Sequence, residues 1–154
     1  MTQDPKTKDY MMVLRYCEHG DLRNYLNKSI DYESKIRNLC EFADGLLDIH
    51  NAGMVHKDLH SGNLLFSSTI SSNGLSVPLI SDLGMSQPAN ESKEKSVKGI
   101  YGVLPYVAPE VLRGFQYTQA ADIYSFGIIM NEFMSEEIPY QSLDMSYTNF
   151  YYYD

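Results

Sequence analysis

Apolar positions fall into a short block, a long periodic stretch, a polar middle and a nearly continuous apolar block. Residues 1–9 read as a polar lead-in. Tyr10 to Leu14, YMMVL, is a brief apolar run whose length predicts a buried strand. Gly20 then breaks the chain, and Asp21 is placed to cap a helix from Leu22 to about Lys28, with Leu22, Tyr25 and Leu26 on one face. A longer helix is predicted over Tyr32 to Ala52. Its positions Ile36, Leu39, Cys40, Ala43, Leu46, Leu47 and His50 step by three and four, and Gly53 fits the residue past its end. Leu64 to Phe66 and Val77 to Ile80 predict strands joined through the polar stretch SSTISSNG. Gln87 to Gly99 is polar and predicts a mobile loop. Ala121 to Met134 is apolar almost all round, which predicts a helix buried on every side. The last stretch, YTNFYYYD, has no period, and the chain has no internal repeats.

Composition narrows the class. A length of 154 residues suits one domain, and 44% hydrophobic against 21% charged residues is a globular balance that argues against disorder. Twenty acidic against twelve basic side chains give a net charge of −8, which argues against charge-driven binding to nucleic acid or to an anionic membrane. Cys17 and Cys40 make no disulfide framework, and a reducing compartment is expected, cytoplasm or nucleus. No apolar run reaches membrane-spanning length, and the first residues lack the apolar core of a signal peptide.

Chemistry concentrates in His56 to Asn63, HKDLHSGN. Asp58 offers a carboxylate to take a proton from an attacking hydroxyl, and Asn63 offers a neutral oxygen for a divalent cation. A second acidic ligand follows in SDLG, where Asp82 precedes a glycine that lets the chain turn. A base beside oxygen ligands for Mg²⁺ is what phosphoryl transfer requires.

Five segments in order then resemble the eukaryotic protein kinases. HKDLHSGN resembles the catalytic loop H-R-D-L-x-x-x-N, and SDLGMS resembles the metal-binding D-F-G turn with Leu83 in place of Phe. GVLPYVAPE resembles the end of the activation segment, and ADIYSFGI the start of a central large-lobe helix whose Asp122 would hold the catalytic-loop backbone. YMMVLRYCEHGDLRNYL resembles the last small-lobe strand, the hinge and the first large-lobe helix. The resemblance implies an α+β, mainly α-helical fold: a protein-kinase-like large lobe with short strands around the catalytic loop and the small lobe mostly absent. It implies a partial kinase domain over residues 10–145, with a Tyr-rich tail over 146–154. ATP and Mg²⁺ are the implied cofactors and a protein the implied substrate. By matching position, Asp58 is the base, and Asn63 and Asp82 are the metal ligands. Leu14, Arg15, Tyr16, Cys17, Asp21 and Leu65 would meet the nucleotide, with Leu14 as gatekeeper, while His56 and Leu83 would be internal supports.

Departures limit the carry-over. Lys57 stands where many members have an Arg that grips an activation-loop phosphate, and it lacks the bidentate fork. His60 stands where serine/threonine members place a Lys near the transferred phosphate, and Val103 where they often have Thr. The Tyr106 context still resembles the tyrosine-kinase-like serine/threonine group. Small-molecule kinases share the H-x-D-x-x-x-x-N loop, and HSGN is similar to theirs, but they lack the A-P-E segment present at Ala108 to Glu110.

Bland alternatives stand beside these roles. Asp58 and Asp82, each alone, read as turn or cap aspartates. Lys57 reads equally well as a surface lysine, His19 and His50 as packing or solvated residues, and Cys17 as hinge packing. Ser86, Ser92, Ser96 and Tyr101 read as solvated before they read as phosphorylation sites.

The family's Gly-rich loop and V-A-I-K strand have no counterpart in the 154 residues, nor does the Arg that would pair with Glu110. Two function classes follow. One is an ATP-dependent protein kinase, serine/threonine-directed, present as an incomplete domain with little or no activity alone. The other is a non-catalytic fragment that docks partners. Oligomeric state is not legible.

Overall fold

The computed structural model describes residues 2–70, 76–89 and 102–140. The architecture is mixed, with helices around a few two-stranded sheets. Strand β1 (Thr2–Gln3) pairs antiparallel with β2 (Tyr10–Met11). The turn between them is held by Asp4, whose Oδ1 accepts from the backbone N–H of Lys6 at 2.7 Å and of Thr7 at 3.0 Å. The opening residues are thus one arm of a hairpin. The buried strand expected over Tyr10 to Leu14 is corrected: only Tyr10 and Met11 are paired, and Leu14 is 76% exposed. Among the described residues the hairpin has no second layer to cover it.

Helix α1 (Leu22–Leu26) is shorter than expected, and Asp21 caps it as expected by accepting from Asn24 N–H at 2.9 Å. Helix α2 (Tyr32–Asn51) is capped by Asp31. Its buried line is Lys35, Asn38, Leu39, Phe42 and Leu46, so the expected stripe is rotated, and Ile36, Cys40, Ala43 and Leu47 face outward. Two contacts set that rotation. Phe42 meets Phe66 edge-on at 5.4 Å, and the Lys35 ammonium is drawn inward by the Glu136 carboxylate.

Strand β3 (Met54–Val55) pairs with β6 (Gln87–Pro88), so the stretch expected to be a mobile loop begins as a strand. Residues 90–101, with Ser92, Ser96 and Tyr101, lie outside the described residues, as do 71–75 and the tail 141–154. Strands β4 (Leu64–Ile70) and β5 (Ser76–Ile80) pair antiparallel with Leu64 opposite Ile80, both running beyond the expected limits. Helix α3 (Pro109–Leu112) starts on a proline, whose missing N–H costs nothing there. Helix α4 (Gln119–Ser135) is capped by Thr118.

The main core joins α1, α2, β4 and α4 through Leu22, Leu39, Phe42, Leu64, Phe66, Ile129 and Phe133, and a second, smaller cluster packs Val107, Ala108 and Val111 of the α3 region against Ala121 of α4. Phe66 sits at the middle of the main core, stacked on Tyr25 at 3.7 Å between ring centres and edge-on to Phe133. All-round burial of α4 is corrected: Asp122, Ser125, Ile129, Glu132 and Phe133 face inward, while Ile123 is 60% exposed beside exposed Gly127 and Met130. The inward face carries Asp122 and Glu132 beside Ile129 and Phe133, so two acidic residues of this apolar helix are buried with its core.

Candidate active site

The loop at residues 56–63 hangs between β3 and β4, and it is tied down at four points. Asp122 supplies the first. Its Oδ2 accepts from His56 N–H at 2.8 Å and its Oδ1 from Lys57 N–H at 2.9 Å. The carboxylate is 2% exposed, and it also contacts His50 Nε2 at 2.9 Å, so His50 is neither solvated nor simple packing. These bonds hold Lys57 at φ 74°, a left-handed conformation that costs a non-glycine residue energy.

His56 supplies the second point and is an internal support, fully buried. Its Nε2–H donates to Ser81 O at 3.0 Å, and its Nδ1 accepts from Asp58 N–H at 3.3 Å. The ring therefore joins the backbone of Asp58 to the residue before Asp82. Asn63 supplies the third. Its Nδ2 donates to Asp58 O at 2.8 Å, while its own carbonyl accepts from Ser81 N–H at 2.8 Å and Ser81 Oγ–H at 3.1 Å. The β4–β5 register thus brings Asn63 beside the Asp82 turn, and the donor end of the Asn63 amide is spent on the loop.

Ser61 supplies the fourth, and sequence reasoning missed it. Tyr106 Oη–H donates to Glu132 Oε2 at 2.6 Å, so its oxygen accepts from Ser61 Oγ–H at 3.0 Å and from Arg23 Nη2 at 3.3 Å. Arg23 Nε donates to Glu132 Oε1 at 3.1 Å. Burial, reinforced by the neighbouring Glu132 carboxylate, pushes the Tyr106 phenol up to about 12. Four separate segments meet there, which no local pattern could have signalled.

Asp58 is half-buried and lines a shallow, open cleft with Gly102, Val103, Val107 and Tyr117. A Cβ at Gly102, which has φ 126°, would lie 3.1 Å from Val107 Cγ2 and 3.7 Å from Asp58 Oδ1. Glycine lets that segment pass close to the carboxylate. His60 lies within the loop, its Nε2 3.9 Å from Asp58 Oδ2. Burial lowers the His60 imidazole below its ordinary range, with Asp58 pulling the other way.

Asp82 is exposed at the start of a 3-10 turn over Leu83–Met85, with φ 59°, and accepts from Gly84 N–H at 3.3 Å. Leu83 is 54% exposed, so its expected role as an internal support is corrected: the turn it opens lies on the surface. On the nucleotide side the outcome is divided. Asp21 and Leu65 are opposed across an isolated β-bridge, and Cys17 O accepts from Gly20 N–H at 3.0 Å beside them. Leu14, Arg15 and Tyr16 lie in an exposed irregular stretch. The Lys57 ammonium contacts Gln87 Oε1 and lies 5.5 Å from the Tyr117 ring centre. It is therefore not a lone surface lysine.

The oxygen donors at Asn63 and Asp82 are hard ligands of the kind Mg²⁺ takes when phosphates complete its shell. Among the described residues no group of three or more His, Cys, Asp or Glu could hold a metal by itself. No described helix is long and apolar enough to cross a membrane.

Comparison with known proteins agrees with this arrangement. The chain is 31% identical to serine/threonine/tyrosine-protein kinase HT1 of Arabidopsis thaliana over 87% of its length, covering 33% of that protein. It is 32% identical to human mitogen-activated protein kinase kinase kinase 13 over 89% of its length, covering 14% of that protein. A protein kinase and PP2C-like domain-containing protein of Arabidopsis thaliana is 30% identical over 93% of the chain, which covers 25% of that relative. The chain thus spans a third or less of these relatives. The family model for protein tyrosine and serine/threonine kinases matches residues 2–153, and the chain belongs to that family.

Proposed function

We propose that this chain carries the base and metal-ligand half of an ATP-dependent protein kinase site, directed to a serine or threonine hydroxyl. The observation that carries the reading is the His56 bridge, which ties the backbone of Asp58 to Ser81 beside Asp82. Through it, a carboxylate facing a cleft and a carboxylate suited to a cation belong to one rigid unit. Asp58 receives the proton of the acceptor hydroxyl and orients its oxygen toward the γ-phosphorus of ATP. Asn63 and Asp82 would hold Mg²⁺, which supplies charge neutralisation to the phosphates when bound. Asp21, Leu65 and Cys17 form one edge for the nucleotide, and Leu14, Arg15 and Tyr16 continue it. The domain extends over residues 10–145, and the cytoplasm or nucleus is the compartment.

A radiolabelled phosphotransfer assay with ATP, Mg²⁺ and dephosphorylated casein tests the reading. Low turnover, in keeping with an incomplete domain, that is abolished by Asp58→Asn in a variant that melts like the parent is the expected result. Turnover that survives Asp58→Asn overturns it. A second reading, a docking fragment, is favoured by the exposed apolar Met12, Val13, Leu14 and Tyr16. Thermal stabilisation by ATP with Mg²⁺, lost in Asp82→Asn, discriminates in favour of the nucleotide site; no stabilisation supports the docking fragment.

A further inference from the structure

His60 lies inside the loop yet carries none of the roles proposed above. Gly62 N–H donates to its Nδ1 at 3.1 Å. A ring nitrogen that accepts bears no proton, so the neutral imidazole carries its proton on Nε2. Nε2 is the atom that faces Asp58 Oδ2, at 3.9 Å. Only glycine at position 62 permits this placement: a Cβ there would lie 2.8 Å from His60 Cε1 and 2.9 Å from Nδ1. The Tyr106 ring, 6.2 Å away between centres, flanks the imidazole on another side.

We propose that His60 is a positioning residue for Asp58, locked by Gly62 with its Nε2–H directed at the carboxylate, so that the two together seat the acceptor hydroxyl. The inference rests on the kinase reading for the identity of that hydroxyl. A gap of 3.9 Å exceeds a direct hydrogen bond and admits one oxygen about 2.8 Å from each atom. The hydroxyl donates to Oδ2 and accepts from Nε2–H. As its oxygen bonds to the γ-phosphorus, the bond from that phosphorus to the β,γ-bridging oxygen breaks. The hydroxyl proton passes to Asp58 and ADP leaves, while Nε2–H is neither gained nor lost. A neutral donor orients the carboxylate without placing a full positive charge beside it.

The tautomer can be read without turnover. The full chain, labelled with ¹⁵N-histidine, contains four histidines, and His60→Asn assigns the signal. Long-range ¹H–¹⁵N spectra at neutral pH should show Nε2 protonated and Nδ1 bare. Asp58→Asn should shift the Nε2 signal and leave the tautomer intact; Gly62→Ala should raise the population protonated on Nδ1. A ring protonated on Nδ1 in the parent, or an Nε2 signal indifferent to Asp58→Asn, overturns the proposal. If Gly62→Ala fails to fold, Asp58→Asn alone decides. With casein as acceptor, His60→Asn should lower kcat about ten- to a hundredfold with KM for ATP unchanged. His60→Gln, which extends an N–H donor toward the Nε2 position, should recover part of that loss, and an equal loss in both variants overturns positioning. A parent chain that neither phosphorylates casein nor gains thermal stability from ATP with Mg²⁺ counts against the kinase reading, and the spectra still decide the role of His60.

Discussion

Tyr106 and Glu132 share a 2.6 Å hydrogen bond between side chains that are almost wholly buried, although 26 residues separate them. Glu132 also meets Arg23, which is half-exposed, so the carboxylate is the innermost charge of the cluster. Tyr106→Phe removes one donor to a buried anion and leaves Ser61 without its phenol acceptor. We expect a loss of about 1–3 kcal/mol in urea unfolding. Glu132→Ala should cost more, about 2–4 kcal/mol, because it strands the buried Tyr106 hydroxyl and empties the buried space its own side chain fills.

The same phenol gives the fold an alkaline limit. In the unfolded chain it ionises near 10, and in the folded protein near 12. The folded state therefore keeps a proton that the unfolded state releases. The contribution is fully present below pH 10 and is lost as pH rises through 12. Chemical unfolding at a series of pH values should show stability falling above pH 10, and the fall should be shallower in Tyr106→Phe.

Asp122 makes three hydrogen-bond contacts with its two oxygens, to His56, Lys57 and His50. Asp122→Asn sets an amide donor against at least one N–H donor and relaxes the left-handed Lys57. A loss of about 2–4 kcal/mol in denaturant unfolding is expected. Amide hydrogen exchange should rise at His56 and Lys57 by a larger factor than in α2. Uniform acceleration would mean that the carboxylate supports the fold as a whole and not the loop in particular.

Phe66 touches Tyr25, Phe42 and Phe133, so one side chain joins α1, α2 and α4 to the sheet. Phe66→Ala should cost about 3–5 kcal/mol. Ile123→Ala, on the exposed face of α4, should change stability by less than about 1 kcal/mol in the same assay.

What the sequence revealed, and what it did not, divides by the range of the interaction. Asp21 as a cap, Gly53 as a helix end and the two long helices follow from local pattern, and the structure carries them. Local pattern does not select the face of α2, because its apolar stripe is broad and Phe66 and Glu136, distant in sequence, decide which half turns in. The expected burial of Tyr10 to Leu14 rested on composition alone, and a strand is buried only where another layer covers it. In the site, the His56–Asn63 loop and Asp82 were legible as motifs. The ties that shape them were not, since Ser61, Tyr106, Glu132 and Arg23 carry no motif of their own in this chain. His50 carries no local signal of its role for the same reason, its partner Asp122 lying 72 residues further on.

Asp122 also imposes an order of events on the folding chain. It bonds to backbone 65 and 66 residues earlier, so the 56–63 loop cannot take its final shape until α4 has docked. Closing so long a loop is entropically costly and is offset only once the helix is packed. During synthesis the Asp58 carboxylate emerges well before the residue that sets its neighbourhood. Competence of the loop is thus a late property, acquired when the scaffold is assembled.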